Sequence, residues 1–303
     1  MTLREMIGQK LVVGFPGTEL DGEFIRLVEE YKVGNIILFR HNIESEEQLA
    51  ALCAELRRRI CAATGAEPFI TIDQEGGVVT RLPDDTTNPP GAMAIAAAGG
   101  EENAYEMGYL TGCRLRALGV DFDLAPVMDV NSNPDNPVIG VRSYSDDPAR
   151  VARMGTAMMR GLLEEGVLCC AKHFPGHGDT DVDSHLGLPK VDKSLEELER
   201  TELVPFTAAI RAGIPGVMSS HILFPQLEPE GKPATMSRRI MTDLLRRKLG
   251  FEGLVVSDCM QMQAIQKFYG TVNGVVQAVK AGVDLVFVSH DAALAGQAAE
   301  ALL

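Results

Sequence analysis

Residues 167–185 read Val-Leu-Cys-Cys-Ala-Lys-His-Phe-Pro-Gly-His-Gly-Asp-Thr-Asp-Val-Asp-Ser-His. The stretch begins as a continuous apolar run, reaches two titratable side chains, and is then broken by Pro-Gly and Gly-Asp steps that no helix or strand tolerates. A run that is apolar without alternation predicts a strand buried on both faces, as in a parallel sheet. The polar remainder predicts a loop at that strand's C-terminal end. The same unit recurs along the chain. Apolar runs stand at Lys10–Phe15, Asn35–Phe39, Phe69–Asp73, Asp121–Ala125, Val167–Lys172, Gly216–Ser219, Gly253–Asp258 and Asp284–Val288. Helical patterns lie between them. Glu44–Ile60 places Leu49, Leu52, Leu56 and Ile60 on one face. Ser194-Leu195-Glu196-Glu197 has the capping-box form that opens a helix. Eight such units in 303 residues predict one domain over residues 1–303, a TIM-like (β/α)8 barrel. A doubly wound sheet would alternate in the same way, but no G-x-G-x-x-G follows a strand to cradle a nucleotide.

The composition is that of a globular enzyme: 46% hydrophobic, 23% charged, with 30 Gly and 16 Pro. A net charge of −14 argues against nucleic-acid binding, which needs a basic surface. No apolar run approaches the ~20 residues of a membrane span, and the N-terminal Met1–Phe15 stretch has no signal-peptide pattern. The six cysteines form no C-x-x-C pair and no zinc spacing, which fits buried reduced thiols. The expectation is a cytoplasmic protein, with an exported mature form as the alternative.

The strand ends are polar. The third run closes on Asp73, the fifth on Lys172-His173, the sixth is followed by His221, the seventh closes on Asp258, and Ser289-His290 follows the eighth. A carboxylate at the end of Gly-Leu-Val-Val-Ser-Asp is costly to bury unless paired. A helix N-cap is the other reading of Asp258. Within Lys172–His185, three readings compete. His173, His177, Asp179, Asp183 and His185 are acceptable metal ligands, but no i,i+4 His pair or H-x-H step fixes their geometry. A serine triad would need G-x-S-x-G, which is absent. In the acid–base reading, Asp183 orients His185 and stabilises its charged form. A polar loop with only local hydrogen bonds is the reading without function. The long connections Leu82–Met93 and Asp129–Asp147, rich in Pro, Asn, Asp and Gly, are of the kind that carries function.

Lys-His-Phe-Pro-Gly-His-Gly at 172–178 followed by Asp183-Ser184-His185 resembles the signature of family 3 glycoside hydrolases, in the β-N-acetylglucosaminidase branch concerned with peptidoglycan recycling. Ile72-Asp73-Gln74-Glu75-Gly76-Gly77, Val255-Val256-Ser257-Asp258 with Met262, Ala125-Pro126-Val127-Met128-Asp129-Val130 and Gly140-Val141-Arg142-Ser143 resemble further motifs of the family, in the correct order across nearly the whole chain. The resemblance implies a retaining exo-β-N-acetylglucosaminidase. Asp258 falls at the nucleophile's position, His185 at that of the general acid/base, and Asp183 at that of its partner. Asp73, Arg81, Arg142, Lys172 and His173 fall at sugar-binding positions. It implies no cofactor and no metal. The partner it implies is a small carbohydrate, a GlcNAc-containing muropeptide or disaccharide. A phosphorylase on the same residues is the near alternative, because a histidine acid/base does not repel incoming phosphate. A metal-dependent hydrolase, which chelation would silence, and a sugar-binding protein with a dead site are the others.

Two features depart from the family. Val78 stands where arginine is common, so a polar contact near Asp73 is expected to be missing. Only Asp291–Leu303 follows the eighth strand, so either the chain is truncated or its barrel closes on a short helix. The oligomeric state is not legible in the sequence.

Overall fold

The computed structural model describes residues 1–85, 87–180 and 188–303. Eight strands form one closed, all-parallel barrel in chain order. They are β1 Leu11–Val13, β2 Asn35–Leu38, β3 Ile70–Ile72, β4 Phe122–Asp123, β5 Leu168–Phe174, β6 Gly216–Ser219, β7 Leu254–Cys259 and β8 Leu285–Val288. Val13 pairs with Val288 and closes the ring. The eight strands coincide with the eight apolar runs, with ends that differ by a residue or two. β5 is the exception of note. It continues through His173 to Phe174 across a register shift between Ala171 and Phe174, so Lys172 and His173 stand inside the strand rather than at its end.

Side-chain alternation divides the core into two layers. Val12, Ile37, Phe122, Leu124, Cys170, Met218, Val256, Leu285 and Phe287 fill the barrel. Leu11, Val13, Ile36, Leu38, Ile70, Ile72, Ala171 and Val255 point the other way and pack under the helices. Counting two residues on from an inward position then fixes the site. Val256 faces in, so Asp258 does too; Cys170 faces in, and with it Lys172. Thr71 alternates with the outward pair Ile70 and Ile72, so Asp73 reaches the mouth.

The helices form where the patterning placed them. Leu49, Leu52, Leu56 and Ile60 are buried on Glu46–Thr64, which Ser45 caps. The expected capping box is present at Ser194, whose side chain accepts from the Glu197 amide while the Glu197 carboxylate accepts from the Ser194 amide. Ala292–Leu302 follows β8 and buries Ala295, Ala298 and Ala299. Within the long 129–147 connection a single 3-10 turn, Gly140–Arg142, presents Arg142. Among the described residues no helix is long and apolar enough to cross a membrane.

Candidate active site

The C-terminal ends of the strands converge on a cavity of about 170 Å3, walled by Asp73, Arg81, Arg142, Lys172, His173 and Asp258 among others. At its centre is the Lys172 ammonium, almost wholly buried and bound to two carboxylates: Nζ lies 2.8 Å from Asp73 Oδ1 and 2.6 Å from Glu75 Oε1. Burial alone would discharge the lysine, but Asp73 and Glu75 outweigh it and hold the ammonium above its ordinary range. Arg142 grips the same Glu75 with both arms, Nε at 2.8 Å and Nη2 at 2.7 Å. Burial opposes ionisation of Glu75, yet Lys172 and Arg142 keep it well below the carboxylate range. Beyond Glu75 the chain turns through Gly76 at φ 90° and Gly77 at φ 58°, a left-handed path that glycine takes without cost.

His173 is held by Asp129, whose Oδ2 lies 2.7 Å from Nδ1 and whose carboxylate also accepts the His173 and His177 amides. A carboxylate only accepts, so Nδ1 carries the hydrogen. Asp129 is fully buried; that burial is overcome by His173 and His177, and its carboxyl stays ionised below the usual range. His177 is lowered to about 4 by burial with His173 beside it, and its Nδ1 is 2.8 Å from Thr180 Oγ1. This turn lies tight against the 129–147 connection. A Cβ on Gly178 would stand 1.6 Å from the Val130 carbonyl oxygen, so only glycine fits.

Asp258 accepts the Cys259 amide at 2.6 Å. Burial raises its carboxyl, but His221, His173, that amide and Lys172 pull harder, and the net direction is down. It stands as an ionised, partly exposed carboxylate shared between the polar cavity and a second one of about 300 Å3. Met262, not Asp258, caps the next helix, so the capping role does not account for it. His221 Nε2 donates to the Cys259 carbonyl at 3.0 Å, bracing that strand end. Arg81 reaches Asp73 Oδ2 at 3.4 Å, and its buried Nε has no hydrogen-bond partner among the described residues.

The structure thus gathers Asp73, Arg81, Arg142, Lys172, His173 and Asp258 around one cavity. Asp183 and His185 lie outside the described residues. Val78 is exposed and lines a separate apolar recess with Met93, Val141 and Tyr144, while Asp73 takes its cations from Lys172 and Arg81 instead. Sequence reasoning gave no role to Glu75 as the hub of the ion pairs or to Asp129 as the His173 anchor. A carboxylate inside Gln74-Glu75-Gly76-Gly77, too near a turn to be core, was the available signal for the first. Among the described residues no three His, Cys, Asp or Glu side chains are grouped to hold a metal ion.

A closed (β/α)8 barrel with carboxylates, cations and histidines at the C-terminal ends of its strands has the site of the enzymes built on that fold. The chain belongs to glycosyl hydrolase family 3: residues 2–303 match the family's N-terminal domain. It is 38% identical to beta-hexosaminidase A of Pseudoalteromonas piscicida, over 94% of this chain and 53% of that protein. It superposes on a family 3 beta-N-acetylglucosaminidase of a Paenibacillus species with a TM-score of 0.97 at 48% identity, covering 100% of this chain and 57% of that one. The chain therefore spans little more than half the length of these relatives. NagZ of Neisseria gonorrhoeae, solved in complex with N-trifluoroacetyl-D-glucosamine, matches at a TM-score of 0.86 and 33% identity over 96% of this chain and 84% of its own.

Proposed function

We propose that the chain is the catalytic barrel of a retaining exo-β-N-acetylglucosaminidase that removes a terminal β-linked N-acetylglucosamine. The observation that carries the reading is the ionised Asp258 on the wall of a sugar-ring-sized cavity whose other walls are Asp73, Arg81, Arg142, Lys172 and His173. Carboxylates and paired cations of this kind hydrogen-bond the hydroxyls of one ring, and Arg81 Nε, which has no partner among the described residues, is a donor for a ring oxygen. Asp258 attacks the anomeric carbon and forms a glycosyl ester as the bond to the leaving oxygen breaks. His185, oriented by Asp183, gives that oxygen its proton and then takes one from the water that cleaves the ester. Glu75 is unsuited to the acid role, since two cations keep it ionised. The substrate we propose is a peptidoglycan-derived fragment with N-acetylmuramic acid leaving. The names of the relatives support the hexosaminide, and six unpaired cysteines fit a reducing, cytoplasmic setting.

The test is Asp258→Asn with an aryl β-N-acetylglucosaminide, run beside the β-glucoside, with and without phosphate. Turnover should fall by roughly 10³-fold or more with the melting temperature preserved. A 2-fluoro sugar with a good leaving group should label the peptide containing Asp258. Substantial activity in the Asn variant, or a label on another carboxylate, overturns the assignment.

A further inference from the structure

Gln74 follows the end of β3, between Asp73 and Glu75, and the proposed reaction gives it nothing to do. It is nonetheless only 1% exposed, and every hydrogen-bonding group of its side chain is taken. Oε1 accepts the Arg81 amide at 2.9 Å and the Leu82 amide at 3.2 Å. Those amides only donate, so the oxygen must stand there and the side-chain amide can face only one way. Nε2 then donates to Thr80 Oγ1 at 2.6 Å and to Asn88 Oδ1 at 3.2 Å. Asn88 is braced in turn, donating to the Pro83 carbonyl at 2.7 Å and accepting from Arg114 Nη1 at 2.9 Å. The Gln74 backbone is fixed from behind, its amide donating to the buried Asp123 at 2.9 Å. One side chain thus clips the start of the 82–93 connection to the end of a barrel strand.

We propose that Gln74 is a positioning residue that acts through Arg81, holding its guanidinium where the glycone is bound. The inference rests on the glycosidase reading and names a group that it leaves out. The dipeptide Asp73-Gln74 grips Arg81 at both ends: Gln74 takes the backbone amide, and Asp73 Oδ2 lies 3.4 Å from Nη2. Between these clamps the guanidinium lies 5.9 Å from the Phe39 centroid, on a wall that both cavities share with Asp258. Three of the four bonds of the Gln74 side chain fall on residues 80–82, the backbone that carries Arg81 toward the site. An arginine side chain has many rotamers, and one that is already held loses least on meeting a ligand. Misplacing a site group by about 1 Å can cost on the order of 10²-fold.

The experiment is a double-mutant cycle, read by the Kd for N-acetylglucosamine from calorimetry and by kcat and KM for an aryl β-N-acetylglucosaminide. Arg81→Ala should weaken binding by about tenfold to hundredfold, the loss of a charged hydrogen bond. Gln74→Met keeps the length of the side chain and removes its hydrogen bonds. It should weaken binding by roughly fivefold to twentyfold in the unsubstituted chain and by less than about twofold in the Arg81→Ala background. The loss should appear in KM more than in kcat. Thr80→Val, which removes one partner of Nε2 and leaves Gln74 in place, should give a smaller loss with the same dependence on Arg81. It decides the matter if Gln74→Met does not fold. Equal factors in both Arg81 backgrounds, or no weakening by either variant, overturn the proposal, and Gln74 then serves the fold alone. Unaltered binding in Arg81→Ala overturns it too. Hydrolysis by the unsubstituted chain with an additive cycle rejects the clip alone. Neither binding nor hydrolysis by the unsubstituted chain rejects the glycosidase reading and the clip with it.

Discussion

Asp123 shows how far the barrel can move one residue's chemistry. It is fully buried in β4, its Oδ1 accepts the Gln74 amide at 2.9 Å, and its Oδ2 has no partner among the described residues. Burial drives the carboxyl well above its ordinary range. The Gln74 amide and Lys172 oppose that push, while Asp73 and Glu75 add to it. An acid whose folded pKa exceeds its unfolded value of about 3.9 binds its proton more tightly in the folded chain. Its stabilising contribution is complete below the unfolded pKa and is lost as pH rises through the folded one. Asp123→Asn removes the titration and keeps the acceptor for Gln74. Its melting temperature should match wild type near about pH 4 and exceed it increasingly toward alkaline pH, by about 2–4 °C for each kcal/mol recovered. A difference that stays constant with pH would show that Asp123 does not titrate as described. Glu75 has the opposite sign, since its depressed pKa contributes stability above about pH 4.3 that is lost in acid.

Among the elements, β5 and the connection that follows it carry a large part of the proposed chemistry: Lys172 and His173 in the strand, Asp183 and His185 beyond. The near flank of 181–187 is pinned, with Asn136 Nδ2 donating to the His177 carbonyl at 2.8 Å and Thr180 Oγ1 buried against His177. On the far side the Val191 amide donates to the Leu223 carbonyl at 2.9 Å. Proton donation matters only for a poor leaving group and is worth about 10²–10⁴-fold. His185→Ala should therefore lose that much on an alkyl glycoside or disaccharide and far less in forming the glycosyl ester from a dinitrophenyl glycoside. The ester should then accumulate, because water needs a base, and azide should release it as the β-azide. Asp183→Asn should show a milder form of the pattern. Equal losses on both substrates without an azide response would move the acid/base elsewhere. This element was also the most legible in the sequence. An apolar run that ends in titratable residues announces a strand pointing at a site, and the same logic located Asp73 and Asp258. Pairing across the barrel was not legible. Glu75 finds Arg142 67 positions away, and Asp129 finds His173 44 positions away, distances that local pattern does not encode. Val78 shows the converse: the sequence suggested a missing contact near Asp73, yet Lys172 supplies a cation there from another strand.

At the scale of the whole molecule, the net charge of −14 and the cations of the site pull in different directions on a charged substrate. Lys172 and Arg142 are each neutralised by contact with Asp73 or Glu75, so little positive field leaves the mouth of the barrel. An anionic fragment, such as N-acetylglucosamine joined to N-acetylmuramic acid, then approaches a body of like charge. The repulsion acts over about 30 Å in 0.01 M salt and about 10 Å in 0.1 M. Raising salt across that interval should increase kcat/KM for the anionic disaccharide by roughly twofold to fivefold, while the value for an uncharged methyl N-acetylglucosaminide stays level. The neutral substrate matters because it separates long-range repulsion from any salt effect on the fold or on the ion pairs of the site, which would move both substrates together. A decrease for the anion alone would mean that Arg81, whose Nε has no partner among the described residues, captures the carboxylate directly and that local attraction outweighs the global field. Changing Arg81→Gln would then abolish the salt dependence, whereas under long-range repulsion it would leave the slope intact.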